Sequence, residues 1–341
     1  MDFLPEAAGP HDPVLTTQER PAGSIRRTAN IDTARPGSLH ADAVVDARAR
    51  DVRTDAGGHS RVVAEAHLVA TLSPTRQLLS IRATPALDVL DQLLGASVGS
   101  GFRSRMGEVV AGSCPEGSLL YLLLDDLPGA TLVSGYAVHR AGGFDDVPPP
   151  VVSAGTAGPD VSGRGDLCAG WASDATMMVH IRKTGSIPVP LGPPAPALEL
   201  ADDPLSWHAM APLGPHSVRR RRRLDVMAPA PGATVHAFDL HFRDSHADEA
   251  GDETIMHEYT VRGTADLATG RIVTVSAQAQ VLPWLECPNA VASAPRIAGM
   301  DLAALRPRVR KEFVGRTTCT HLNDSLRSLG DVAALARELE A

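Results

Sequence analysis

Alternating hydrophobic and polar positions fill two long stretches of the chain. The first stretch contains SIRRTANID from Ser24 and ADAVVDARARDV from Ala41, and the second contains VRRRRRLDV from Val218 and ATVHAFDLHFRDS from Ala233. A hydrophobic period of two residues is typical of strands with one buried face. Both stretches therefore predict β-structure.

A further pair of strands follows in each stretch, and a segment whose residues favour a helix comes after the pair. RVVAEAHLVATLSPTRQLLSIRA turns at residues 73–75, and TIMHEYTVRGTADLATGRIVTVSAQA turns at residues 268–270. Alternation on both sides of a turn predicts an antiparallel hairpin. The segments TPALDVLDQLLG and CPNAVASAPRIAG then favour helices, and each half ends with a cysteine that precedes a later helix.

This repeated order of elements predicts a tandem duplication with an α+β fold. Each copy would be an antiparallel sheet of three or four strands with helices on one face. We expect residues 1–24 to be a flexible tail, 25–140 a degenerate N-terminal repeat, and 218–341 the C-terminal repeat. Residues 141–217 are rich in proline and glycine, including the Pro-Pro-Pro run at 148–150, and favour a linker or an insertion.

Composition narrows the class of protein. The chain of 341 residues is 43% hydrophobic and 21% charged, as in ordinary globular proteins. A net charge of −8 and an aromatic content of 4% argue against nucleic-acid binding. No signal peptide is visible, and the strongly apolar stretch at 118–124 is shorter than the roughly 20 residues of a membrane span. We therefore expect a cytoplasmic protein with no membrane or nucleic-acid partner and with reduced thiols.

The candidate functional residues of the C-terminal repeat are cysteines and histidines. Cys287 in LECPNA and Cys319 in TCTHLND precede predicted helices, where the helix dipole lowers a thiol pKa. His321 lies two residues after Cys319, and His257 lies in IMHEYTV beside Glu258, which is on the opposite strand face. If these groups converge, they suit zinc or iron. The alternative is that the cysteines are buried core residues and the histidines are hydrogen-bonded surface residues.

Three other histidines and an arginine run favour less specific interpretations. His236, His241 and His246 are spaced irregularly, so we expect them to be exposed to solvent. The run Arg219 to Arg223 could bind an anion, but alternate side chains of a strand point to opposite faces, which favours a solvated edge strand. The sequence contains no Walker or G-x-G-x-x-G motif.

The C-terminal half resembles an uncharacterised bacterial family of domains of unknown function. That family has Ile-His-Asp-Met in a strand, a cysteine before its first helix and a closing Gly-Cys-Thr-His-Leu motif. The matching pieces are IMHEY at Ile255, ECPNA at Glu286 and TCTHL at Thr318, with Glu258 in place of aspartate and Thr318 in place of glycine. The resemblance implies no activity.

A more distant resemblance is to NifU-type iron–sulfur scaffold domains, which have three strands, a cysteine, a helix and a second cysteine before a late helix. It implies that His257, Cys287 and Cys319 are three metal ligands. The N-terminal copy has Ala64 near the position of His257 and retains Cys114, so we expect its site to be lost.

The resulting hypothesis is a zinc- or iron-binding protein, and in its stronger form a metalloenzyme acting on a small organic substrate. His257, Cys287 and Cys319 would be ligands, with His321 or Glu258 as a fourth ligand or proton shuttle. The first alternative is a metal-free enzyme with Cys319 as nucleophile and His321 as base, although residues two apart on a helix diverge by about 200°. The second alternative is a non-catalytic module that binds another protein.

Overall fold

One antiparallel sheet of eight strands forms the centre of the protein. The structure is a computed structural model that describes residues 3–142 and 165–340. The strands run in the order β4-β3-β2-β1-β5-β6-β7-β8 across the sheet. They are β1 (Ser24–Ala34), β2 (Ala43–Thr54), β3 (Ser60–Leu72), β4 (Leu78–Thr84), β5 (Val218–Met227), β6 (Val235–Ala247), β7 (Glu253–Asp266) and β8 (Arg271–Val281).

The prediction of an α+β protein is confirmed, whereas the prediction of two separate sheets is wrong. Strands β1 and β5 pair along their length, from Ser24 opposite Met227 to Thr33 opposite Val218. Without this pairing each would be the unpaired edge of a four-stranded sheet, with open backbone donors and acceptors. The pairing satisfies both edges and joins the two halves.

Helices cover one face of the sheet. The α-helices are α1 (Phe102–Val110), α2 (Leu119–Arg140), α3 (Thr176–Thr184), α4 (Leu305–Glu312), α5 (Thr320–Ser328) and α6 (Val332–Glu340). Short 3₁₀ helices occupy Pro5–Ala7, Asp88–Leu93, Ala169–Trp171, Cys287–Ile297 and Leu329–Asp331. Helix α2 packs across β1, β2, β3 and β5, α6 packs on β1 and β5, and α5 contacts β7. Among the described helices, none combines the length and the apolar character needed to traverse a bilayer.

The arginine run lies in the most buried part of the sheet, so the expectation of a solvated edge is wrong. Arg219 to Arg223 are each at most 6% exposed, because β5 is a central strand with both faces covered. As predicted, alternate side chains point to opposite faces. Arg220 and Arg222 meet aspartates of the helical layer, whereas Arg219 and Arg223 meet Asp32 and Asp225 on the other face.

Irregular segments cover the central part of the second face of the sheet, whereas positions on the outer strands β3, β4 and β8 remain exposed there. The N-terminal segment, which we expected to be a flexible tail, contacts the sheet where Val14 meets Glu258 and Gln18 meets Asp225. Trp207, from the proline-rich segment, donates to Thr17 and is 2% exposed. The part of that segment at 143–164, including the Pro-Pro-Pro run, lies outside the described residues.

The three histidines that we expected to be exposed are buried. His236, His241 and His246 are each at most 2% exposed. His241 bonds Glu258 and lies against the ring of Trp207 on the second face. His236 contacts the Met227 carbonyl, whereas His246 packs against the ring of Tyr136 from α2. The spacing of these residues could not reveal the covering, because it comes from distant parts of the chain.

Candidate functional site

Three metal-ligating side chains converge where the end of β6–β7 meets the start of α5. Asp244 and His257 stand opposite each other in the β6–β7 ladder, and His321 lies in the first turn of α5. One ligand atom from each residue lies within 4.8 Å of the others. The imidazole rings of His257 and His321 are stacked, with centroids 3.5 Å apart and planes 18° apart. Asp244 Oδ2 is 3.7 Å from His321 Nε2.

Local backbone features account for this convergence. The β6–β7 ladder shifts register between Asp244 and Ser245, so regular pairing is interrupted beside the site. Cys319 precedes α5 in an extended conformation, with φ −137° and ψ 133°, and its carbonyl accepts the first helical bond from Asn323. Helix α5 therefore begins at Thr320, and its first turn carries His321 over β7.

Both imidazoles are held in the neutral form. Burial lowers the pKa of His257 well below its usual value, and the neighbouring His321 lowers it further. The pKa of His321 is lowered to about 3, first by burial and then by the positive charge of Arg220. A neutral imidazole offers a lone pair to a metal ion. His257 Nδ1 is buried and makes no hydrogen bond.

Arg220 fixes the carboxylate of Asp244. Its Nε and Nη2 atoms donate to the two oxygens of Asp244 at 2.8 and 2.9 Å, and its Nη1 donates to Asp324 at 2.8 Å. Burial by itself would raise the pKa of Asp324, but the guanidinium groups of Arg327 and Arg220 outweigh burial and hold that pKa far below its usual value. Asp324 is therefore ionised in the folded protein.

The site borders a balanced network of buried charges. Six arginines and six aspartates are linked by ion pairs, so their formal charges cancel. The arginines are Arg27, Arg103, Arg220, Arg222, Arg306 and Arg327, and the aspartates are Asp51, Asp125, Asp126, Asp244, Asp324 and Asp331. Such networks set geometry more than they add stability, because desolvation of the charges offsets their attraction.

A cavity of about 270 Å³ opens beside His321. Its polar lining includes Arg76, Arg103, Arg220 and Asp324. The side chain of His321 is 13% exposed and lines this cavity. A molecule in the cavity would therefore contact the cluster of Asp244, His257 and His321 at His321.

The two cysteines predicted as ligands are not part of the three-residue cluster. Cys319 Sγ lies 3.7 Å from His321 Nδ1, so it borders the cluster, whereas Cys287 packs near Gly170 in the C-terminal core. We expected a helix start to lower their pKa values. Burial instead raises the pKa of both thiols and outweighs the backbone N–H groups of residues 321 and 322 that face Cys319.

Glu258, predicted as a ligand or proton shuttle, lies on the other face of β7. Its carboxylate accepts hydrogen bonds from Arg243 at 2.6 Å and from the Val14 backbone N–H at 2.9 Å, and it lies 2.7 Å from His241. The sheet therefore separates it from His257. Sequence reasoning did place it on the opposite face, but assigned it a role that this position does not allow.

Sequence reasoning missed Asp244, and it considered Arg220 only as one member of an arginine run on a solvated edge. Both belong to segments recognised as strands, and Asp244 is in the alternating segment HFRDSHAD. The other half repeats this pair, because Arg27 donates from Nε and Nη2 to the two oxygens of Asp51 as Arg220 does to those of Asp244. Across β2–β3, Ala64 stands opposite Asp51, so this half has no imidazole at that position.

Comparison with known proteins gives one match, which covers the C-terminal half of the sheet and its helices. Residues 218–335 match a family described as "Protein of unknown function (DUF2889)". The match spans β5 to α6 and includes Arg220, Asp244, His257 and His321. No curated protein and no solved structure matches the chain, so these comparisons lend no support to the resemblance to NifU-type domains.

Proposed function

We propose that this protein binds one divalent transition metal ion, zinc or iron, through Asp244, His257 and His321. The observation that carries the proposal is the convergence of these three ligand atoms within 4.8 Å of one another. The two neutral imidazoles and the unpartnered Nδ1 of His257 support it further. Relative to the sequence hypothesis, Asp244 and His321 replace Cys287 and Cys319 as ligands.

The donor set suits such an ion. Two histidines and one carboxylate bind iron in many oxygenases and also occur at zinc sites. Ligand atoms about 2.1 Å from a metal lie roughly 3–3.5 Å apart, so the present cluster needs a modest contraction. One stacked imidazole must also turn towards the ion, and His257 has no hydrogen bond at Nδ1 to break. Arg220 would orient the Asp244 carboxylate from outside the coordination sphere.

A metalloenzyme acting on a small organic substrate is the activity that this arrangement supports best. An ion with three protein ligands keeps an open position and acts as a Lewis acid on a substrate oxygen. The cavity beside His321 offers room on the accessible side of the cluster.

Elemental analysis of protein purified without an affinity-tag metal tests the proposal. We expect close to one zinc or iron per wild-type chain, and loss of most of it in His257→Ala and His321→Ala. His59→Ala is the matched control, because the His59 side chain is 88% exposed and lies far along the chain in the β2–β3 turn. The proposal would be contradicted by folded wild-type protein that contains no metal and shows no absorbance change on addition of Co²⁺.

Cysteine catalysis is a second candidate, because Cys319, His321 and Asp244 form a chain of contacts. Cys319 Sγ and Asp244 Oδ2 each lie 3.7 Å from a different nitrogen of His321. The extended residue Cys319 removes the geometric objection that a regular helix would raise. Against it, the thiol is 6% exposed and burial raises its pKa. Rapid, selective alkylation of Cys319 in metal-free protein, abolished in His321→Ala, would favour this candidate; slow alkylation and metal retention in Cys319→Ser would favour the metal.

We also infer that the two halves are tandem copies of one unit. Their strand orders mirror each other about β1–β5, and both have a register shift directly after an aspartate, at Asp51 and at Asp244. With Ala64 in place of an imidazole, the N-terminal half would hold no metal. A metal content near two per chain would contradict this assignment of a single site.

A further inference from the structure

The cavity beside His321 has more positive than negative charge on its wall. Arg76, Arg103 and Arg220 line it together with one carboxylate, that of Asp324. Arg103, Arg220 and Asp324 belong to the balanced network of six arginines and six aspartates. Arg76 does not, so it adds one uncompensated positive charge, and a divalent ion on Asp244, His257 and His321 would add two more.

Arg76 is held in place by its backbone and by a carbonyl group. Its φ is 64°, in the left-handed region that non-glycine residues seldom adopt. Its N–H donates to the Ser73 carbonyl and its own carbonyl accepts from the Val98 N–H, both at 2.8 Å. The guanidinium donates from Nε and Nη2 to the Val98 carbonyl, and within the described residues it has no carboxylate partner. A half-buried cation fixed in this way is preorganised for an anion.

Arg103 faces the same cavity from α1. Its Nε donates to the Asp125 carbonyl at 2.8 Å, and its Nη2 lies 3.5 Å from an Asp324 oxygen. The side chain remains 20% exposed, so it can also reach a bound molecule. Guanidinium groups are well suited to carboxylates and phosphates because their planar donors match two oxygens at once.

We infer that the substrate is a small organic anion whose carboxylate or phosphate group binds Arg76 and Arg103. This inference rests on the proposed metal site. The reacting end of the substrate would then point to His321 and the metal. The cavity volume of about 270 Å³ is near the lower end of the range for ligand pockets, roughly 300–1,000 Å³, which favours a small molecule.

Calorimetric titration of the full chain with two probes, inorganic phosphate and malonate, tests this inference. We expect saturable binding of at least one probe, and the stronger probe identifies the preferred anionic group. Arg76→Asn should weaken that binding about tenfold or more, because asparagine tolerates a positive φ but lacks the guanidinium. Arg105→Gln is the control, since Arg105 lies on α1 two residues after Arg103 and donates to the Gln92 carbonyl in an exposed contact.

Running the titrations on metal-free and Co²⁺-loaded protein separates the two proposals. Arg76-dependent binding to protein that takes up no metal would overturn the metal site and retain the anion site. Protein that takes up Co²⁺ at the three-residue cluster, yet binds neither probe, would overturn the anion site alone. Equal losses in Arg76→Asn and Arg105→Gln would also overturn it, provided that thermal unfolding shows both variants folded.

Discussion

Gly129 of α2 lies directly beside the ion pair between Arg220 and Asp324. A Cβ atom at this position would be 2.2 Å from Arg220 Nη1 and 2.5 Å from Asp324 Oδ2. Both atoms are the ends of side chains, but each is fixed by further ion pairs in the network. The absence of a side chain at residue 129 therefore permits the contact that orients Asp244.

We predict that Gly129→Ala lowers the free energy of unfolding by about 1–3 kcal/mol, because the methyl group separates a buried charge pair. Gly135→Ala in the same helix is the control, since nothing lies within 4 Å of its Cβ position. That change should be neutral or stabilising by about 0.5–1 kcal/mol. Urea unfolding of both variants checks the prediction, and equal stabilities would contradict it.

Single residues also show what sequence reasoning could reach. His321 was identified because it lies two residues after a helix-start cysteine, and His257 because its strand segment matches the motif of the resembling family. Asp244 was not, because its role depends on the register of β5, β6 and β7. Cys319 was assigned a lowered pKa from its local position, whereas the structure buries it in a core built from distant segments.

At the scale of elements, helices α2, α4 and α5 meet through charged side chains. Arg306 of α4 and Arg327 of α5 both bind Asp125 of α2. Burial alone would raise the pKa of Asp125, but Arg327 and then Arg306 outweigh it and lower that pKa to about 2. An aspartate in an unfolded chain titrates near 3.9. The stabilisation from this carboxylate is therefore complete above about pH 5 and is lost as the pH falls towards 2.

We predict that the free energy of unfolding of the wild type falls steeply between pH 5 and pH 2, with about 2 kcal/mol of the fall due to Asp125. Asp125→Asn should start from a lower stability, because Arg306 and Arg327 lose a charged partner, and should show a shallower fall. Asp46→Asn is the control, since Asp46 pairs with Arg48 and His67 at the surface, where about 40% of each side chain is exposed. Urea unfolding at several pH values checks this, and parallel profiles for all three proteins would refute it.

Local elements were predictable, and their long-range pairing was not. The strands of both halves and the turns at 73–75 and 268–270 follow from alternation and turn residues, and the structure contains them. The β1–β5 ladder joins segments almost two hundred residues apart, and no local pattern encodes it. Alternation shows that the arginines of β5 face both ways, but only the assembled sheet shows that both faces are covered.

At the scale of the whole molecule, β1 and β5 form the boundary between the halves. Backbone pairing along this boundary is reinforced by Arg26 with Asp225 on one face and by Arg27 with Asp331 on the other. Each half also has its own apolar core, one centred on β2 and β3 and one on β6 and β7. The boundary therefore resembles an interface between two subunits.

We predict that residues 1–142 and 165–341, produced as separate chains in one cell, associate and purify together in equal amounts. The reason is that each chain alone would leave the backbone of β1 or β5 unpaired. Each would also leave a buried arginine without an aspartate from the other half, as in the pairs Arg27–Asp331 and Arg222–Asp126. Arg222→Glu should reduce the yield of the complex, because it places a carboxylate against Asp126 of the other chain. Size-exclusion chromatography checks the association, and two soluble chains that elute separately would contradict it.

Because β1 and β5 pair directly, the covalent link between the halves does not have to determine how they recognise each other. In a continuous chain the link raises the effective concentration of each half for the other. Recognition itself resides in backbone pairing and charge complementarity, as in a dimer whose two subunits have become one polypeptide. On the duplication that we infer, two copies joined in one chain no longer have to be identical, and one can keep a histidine opposite its aspartate while the other carries an alanine.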